Sequence, residues 1–150
     1  MADVKNAGNN IFIIDDELYS IKGLGSVYFL AEDKKVLTVA WPSTSSKTIL
    51  RGIVEAGYRP EDVDYLILTH IHLDHAGGAG TLLKLMPRAK VIAHSQAMWH
   101  LSHLSKLVKS TLEAQGVGSG ARNGEMLPIA ADRRCPQRIS TGSCSARHKP

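Results

Sequence analysis

The chain has 150 residues, with 43% hydrophobic and 21% charged residues and few aromatics at 5%. That is the profile of one globular domain with an aliphatic core. The net charge of +4 suggests a nucleic-acid partner, but residues 131–150 hold Arg133, Arg134, Arg138, Arg147 and Lys149 against the single acid Asp132. The excess therefore sits in that stretch, residues 1–130 are balanced, and nucleic acid is not the expected partner.

In chain order, residues 10–14 and 25–31 are short apolar runs rich in β-branched and aromatic residues, and read as strands. Glu32-Asp33-Lys34-Lys35 is a polar hairpin turn, and Val36 to Val39 returns as a third strand that Pro42 ends. Ser43-Thr44-Ser45-Ser46 offers N-caps for a helix with Ile49, Leu50, Ile53, Val54 and Ala56 on one face, stopped by Gly57. Pro60-Glu61-Asp62 opens a single helical turn, and Val63 to Thr69 reads as a buried strand.

Ala79 to Met86 has helical character, Lys90 to His94 is a fifth strand, and Ser95 can cap a helix through Leu101. Leu104, Leu107, Val108, Thr111 and Leu112 fit a further amphipathic helix ending near Gly116. Residues 131–150 show no periodicity, and their polar, basic composition offers too little apolar surface to offset ordering entropy. They are expected to be a disordered tail, set apart from a domain at 1–130. Both cysteines, Cys135 and Cys144, lie in it and are expected to be free thiols, since their spacing matches no common zinc motif. No leader pattern opens the chain, and no apolar run approaches the ~18–20 residues of a spanning helix. A cytoplasmic protein with no membrane partner is expected.

The stretch Thr69-His70-Ile71-His72-Leu73-Asp74-His75-Ala76-Gly77-Gly78 carries the chemistry. Imidazole and carboxylate are ligands that borderline divalent metals accept. In an extended segment, residues two apart point the same way, so His70 and His72 can grip one ion. Asp74 and His75, past the bend, can face a second position. Surface histidines in a polar turn are the ordinary alternative, and a single His-x-His would not overcome it. Here three histidines and an aspartate fall within six positions, between an apolar strand and Gly-Gly. His94, His100 and His103 are expected to be structural or exposed, and His148 lies in the tail.

Thr69 to Gly78 resembles the His-x-His-x-Asp-His signature of the metallo-β-lactamase superfamily, and the resemblance runs from about residue 10 to about residue 129. It implies an α/β (α+β) fold: half of an αββα sandwich, a mixed sheet with flanking helices, and the metals at one sheet edge. It further implies that His70 and His72 hold one zinc ion and Asp74 and His75 a second. A hydroxide between them would hydrolyse an ester, thioester, lactone or amide of a small-molecule substrate, with Asp74 as the catalytic residue that orients it and accepts its proton. Thr69 either supports the ligands or is an ordinary strand-end residue.

Two departures from the family pattern bear on activity. Where the family has Asp-Thr/Ser-Gly after the third strand, this chain has Val39-Ala40-Trp41. Trp41 in a glycine position is expected to distort the turn or block the pocket. Family domains are also longer, and their second halves add two histidines and a bridging aspartate. A truncated hydrolase is therefore expected, with a catalytically inactive metal-binding remnant as the alternative. An interrupted reading frame would account for both the Thr38-to-Trp41 stretch and the tail. A missing second sheet would leave one sheet face uncovered and open to self-association.

Overall fold

A computed structural model describes residues 2–105, 108–109, 113 and 122–135. Its architecture is mixed α+β, as expected. Six strands form one sheet in sequence order: β1 Val4–Asn6, β2 Ile11–Asp15, β3 Ser26–Ala31, β4 Lys35–Thr38, β5 Tyr65–Ile67 and β6 Lys90–Ile92. β1 to β4 run antiparallel, and β4, β5 and β6 are parallel. The helices are α1 Ser46–Glu55, α2 Leu73–Ala76, α3 Ala79–Leu85 and α4 Ser95–Ser102. Parallel neighbours need crossover connections, and the segments holding α1 and α3 supply them.

The strand period of two sorts side chains onto two faces. Register aligns Phe12, Phe29, Leu37, Leu66 and Val91 in one row across β2 to β6. All but Phe12 are fully buried, in one core with Ile49 and Ile53 of α1 and Leu82 and Leu83 of α3. Phe12, Phe29 and Tyr58 close its outer end edge to face, Tyr58 lying 5.6 and 5.3 Å from the other two rings. The opposite face aligns Ile13, Tyr28, Thr38, Ile67 and Ile92, which are half-buried apart from the exposed Tyr28.

Several local expectations change. β1 adds an edge strand that its sequence, Val-Lys-Asn, does not announce. The serines before α1 do not cap it. They form a 3-10 turn, and Ser43 donates to the Asn123 carbonyl, Thr44 to the Arg122 carbonyl and Ser45 to Asp16. α4 is capped by the His94 side chain, which accepts from the Gln96 amide, rather than by Ser95.

Residues 131–135 belong to the folded body. Arg134 bridges β6 at Val91, and the Cys135 amide donates to the Val91 carbonyl at 2.8 Å. The Arg133 guanidinium donates to the carbonyls of Met86 at 2.6 Å and Ala89 at 2.9 Å, beyond the end of α3. Composition suggested solvation, but a guanidinium fork finds carbonyl partners past the end of a helix that local sequence does not reveal. Cys135 is a free thiol, as expected. Cys144, His148 and the rest of residues 136–150 lie outside the described residues, as does most of the helix expected over 104–116.

Candidate metal centre

The motif follows the carboxyl end of β5. The Leu68 amide still pairs with the Ile92 carbonyl, and the Val39 amide with that of Ile67. Sheet pairing thus carries both the motif and the turn after β4 to one edge. Past Thr69 the chain leaves the sheet and turns into the short helix α2. The His72 carbonyl accepts from the amides of His75 and Ala76, closing that turn. The extended segment holds His70 and His72, and the helical turn holds Asp74 and His75.

The structure brings these four residues together. Ring centroids lie 5.0 Å apart for His70 and His72 and 4.0 Å apart for His70 and His75. His75 Nε2 is 3.6 Å from Asp74 Oδ2. His72 is exposed, and the other three are partly buried. Thr69 Oγ1 is hydrogen-bonded to His70 Nδ1 at 3.0 Å. Burial lowers the pKa of His75; the Asp74 carboxylate opposes that shift, and His70 and His72 add to it. A neutral imidazole is the form that binds a metal.

In kind, three imidazoles and a carboxylate suit a borderline divalent ion. In count, no three His, Cys, Asp or Glu side chains among the described residues converge closely enough to hold a metal ion.

His94, His100 and His103 take structural places. The ring of His103 stacks on Trp99 at 4.8 Å, and its Nδ1 bonds the Trp99 carbonyl at 3.0 Å. His100 meets Trp99 edge-on at 5.1 Å.

Trp41 keeps its turn in a strained backbone conformation, in line with the expected distortion. Val39 and Trp41 hold φ of 63° and 49°, the left-handed region in which glycine is favoured. The Trp41 indole lies against His75, with centroids 4.5 Å apart and planes 33° apart, and its Nε1 donates to the Ser26 carbonyl at 2.9 Å.

Sequence reasoning did not single out Tyr19 or Asn123. The Tyr19 hydroxyl bonds Asn123 Oδ1 at 3.4 Å, and burial followed by the Asp74 charge raises the phenol's pKa. Asn123 is itself buried. Neither residue lies in a motif, so local sequence carried no signal for them.

The family model for the metallo-beta-lactamase superfamily matches residues 22–135, well over half of the chain. The chain belongs to that superfamily. This metallo-beta-lactamase-superfamily chain is 32% identical over 65 residues to a metal-dependent hydrolase of Saccharolobus solfataricus, covering 43% of this chain and 29% of that protein. It is 33% identical over 79 residues to a probable hydroxyacylglutathione hydrolase of Schizosaccharomyces pombe, covering 51% of this chain and 31% of that one. A subclass B3 metallo-beta-lactamase from a soil metagenome library has a similar structure, with a TM-score of 0.58 and 26% identity, covering 67% of this chain and 36% of that one. The matches thus span about a third of the length of each of these relatives. Among the described residues, no helix is long and apolar enough to cross a membrane.

Proposed function

We propose that His70, His72, Asp74 and His75 form the metal centre of a zinc-dependent hydrolase acting on an ester, thioester, lactone or amide of a small molecule. One observation carries the reading: the sheet edge gathers three imidazoles and a carboxylate, with ring centroids 4.0 and 5.0 Å apart. His70 and His72 would hold one ion and Asp74 and His75 a second. A bound divalent ion supplies Lewis acidity that brings the pKa of a water toward neutrality. Asp74, beside His75 at 3.6 Å, would orient such a water and take up its proton. Thr69 keeps the His70 ring in place.

A second reading, a metal-binding chain without turnover, rests on the donor count. Catalytic zinc generally takes three protein ligands, and among the described residues no three such side chains converge on one point.

Zinc content and thioester or lactone hydrolysis separate the readings. The protein is expected to bind zinc, and His70→Ala/His72→Ala to lose it. Equal zinc content in the two proteins refutes the assignment. Chelator-sensitive turnover by the 150-residue chain supports the hydrolase; zinc binding without turnover supports the second reading.

A further inference from the structure

We propose that Trp41 is a positioning residue for metal binding, its indole fixing the plane of the His75 imidazole so that Nε2 stays beside Asp74. The inference rests on the metal-centre reading above and adds a residue to it.

The indole is itself held. The Trp41 carbonyl accepts from the Gly78 amide at 2.7 Å, and the Trp41 Nε1 donates to the Ser26 carbonyl at 2.9 Å. The His75 carbonyl accepts from the Ala40 amide at 3.0 Å, so backbone bonds also tie the two segments together. Between these anchors the indole lies against His75, with centroids 4.5 Å apart and planes tilted by 33°, while the His70 ring packs on the same imidazole at 4.0 Å.

A metal binds an imidazole nitrogen in the plane of the ring, so a neighbouring ring that limits how the plane turns also limits where the donor atom points. The indole contact therefore restricts rotation of His75, whose Nε2 lies 3.6 Å from Asp74 Oδ2. An indole face also favours a neighbour that carries positive charge, as an imidazole does once it binds a metal.

The backbone gives an independent reason to assign the ring a role. Trp41 holds a φ of 49°, which large residues rarely adopt. Glycine would remove that strain and keep the turn. Only the ring supplies the contact with His75 and the bond to Ser26.

The test is zinc affinity of the full chain, measured by competition with a chelator, together with tryptophan emission. The chain has two tryptophans, Trp41 and Trp99. Trp41→Gly is expected to weaken zinc binding about 10-fold or more, as removing a support of a metal ligand does. Trp41→Phe keeps a stacking ring and is expected to stay within about 3-fold of the unaltered chain. In Trp99→Phe, where Trp41 alone emits, zinc is expected to change the emission along the same binding curve.

Unchanged affinity in Trp41→Gly, or an emission unmoved by saturating zinc in Trp99→Phe, overturns the proposal and leaves the metal centre standing. Failure of the unaltered chain to bind zinc overturns the metal-centre reading and this proposal with it. If Trp41→Gly does not fold, the Trp99→Phe titration still decides.

Discussion

The Ser45 hydroxyl donates to Oδ2 of Asp16 at 2.8 Å, and both residues are buried. Asp16 is fully removed from solvent and its Oδ1 has no hydrogen-bond partner in the structure. That oxygen faces Gly25, where a Cβ would collide with it. Burial raises the pKa of Asp16 from 3.8; the Ser45 bond works against the rise, and the nearby charges of Asp15 and Glu17 add to it.

The sign of the linkage follows. Above pH 3.8 the folded chain holds the Asp16 proton more tightly than the unfolded chain does, so stability falls as pH rises through the raised value. Asn at this position stays neutral and still accepts from Ser45. Asp16→Asn is therefore expected to raise Tm at pH 7, with the gain shrinking as pH falls toward 3.8. Thermal melts across that range check it, and a gain that does not vary with pH would rule out Asp16 as the group responsible.

Gly78 joins the motif to the turn after β4. A Cβ there would lie 2.8, 3.0 and 3.1 Å from the carbonyl oxygens of Ala40, Trp41 and Pro42. These are backbone atoms and cannot swing aside. Gly78→Ala is expected to cost about 1–3 kcal/mol, as overpacking does. It should also weaken zinc binding, because it pushes Trp41 away from the segment that carries His75. Urea unfolding reads the first effect and chelator competition the second.

The motif was legible because its evidence is local: ligand types, spacing, the strand before and the glycines after. Strands β2 to β6 were legible for the same reason, since apolar runs alternate with turn residues. What stayed hidden depends on distant partners. Ser45 looks like a helix cap, yet its bond goes to Asp16, 29 residues away in sequence. Ser43 bonds Asn123 across 80 residues. β1 pairs only at the sheet edge, and its half-exposed Val-Lys-Asn carries no apolar alternation. Trp41 read as an intrusion on a glycine site, and only the fold shows its ring lying against His75.

Arg133 is expected to matter for stability although it lies in the basic stretch. Its guanidinium donates to two carbonyls beyond α3, next to the point where Arg134 joins β6. A hydrogen bond to a charged group contributes a net of about 1.5–3 kcal/mol. Arg133→Ala is therefore expected to lower stability by about 1–3 kcal/mol. Arg133→Lys should recover only part of that loss, because an ammonium lacks the planar fork. Urea midpoints for the two variants test both statements, and a neutral Arg133→Ala would return residue 133 to the solvated tail.

The last expectation concerns the second face of the sheet. Ile13, Tyr28, Thr38, Ile67 and Ile92 line up across five strands there, and Tyr28 is 48% exposed at the centre of β3. Ile21 and Leu24, in the loop before β3, are 55% and 52% exposed. Exposed apolar side chains such as these favour association in water. The chain is therefore expected to self-associate with rising concentration, read by sedimentation velocity. Tyr28→Glu places a charge on that face without emptying the core row of Phe12, Phe29 and Leu37, so it should shift the equilibrium toward monomer with the fold intact. A chain that stays monomeric across the concentration range contradicts the expectation. Association that Tyr28→Glu leaves unchanged places the contact on another surface.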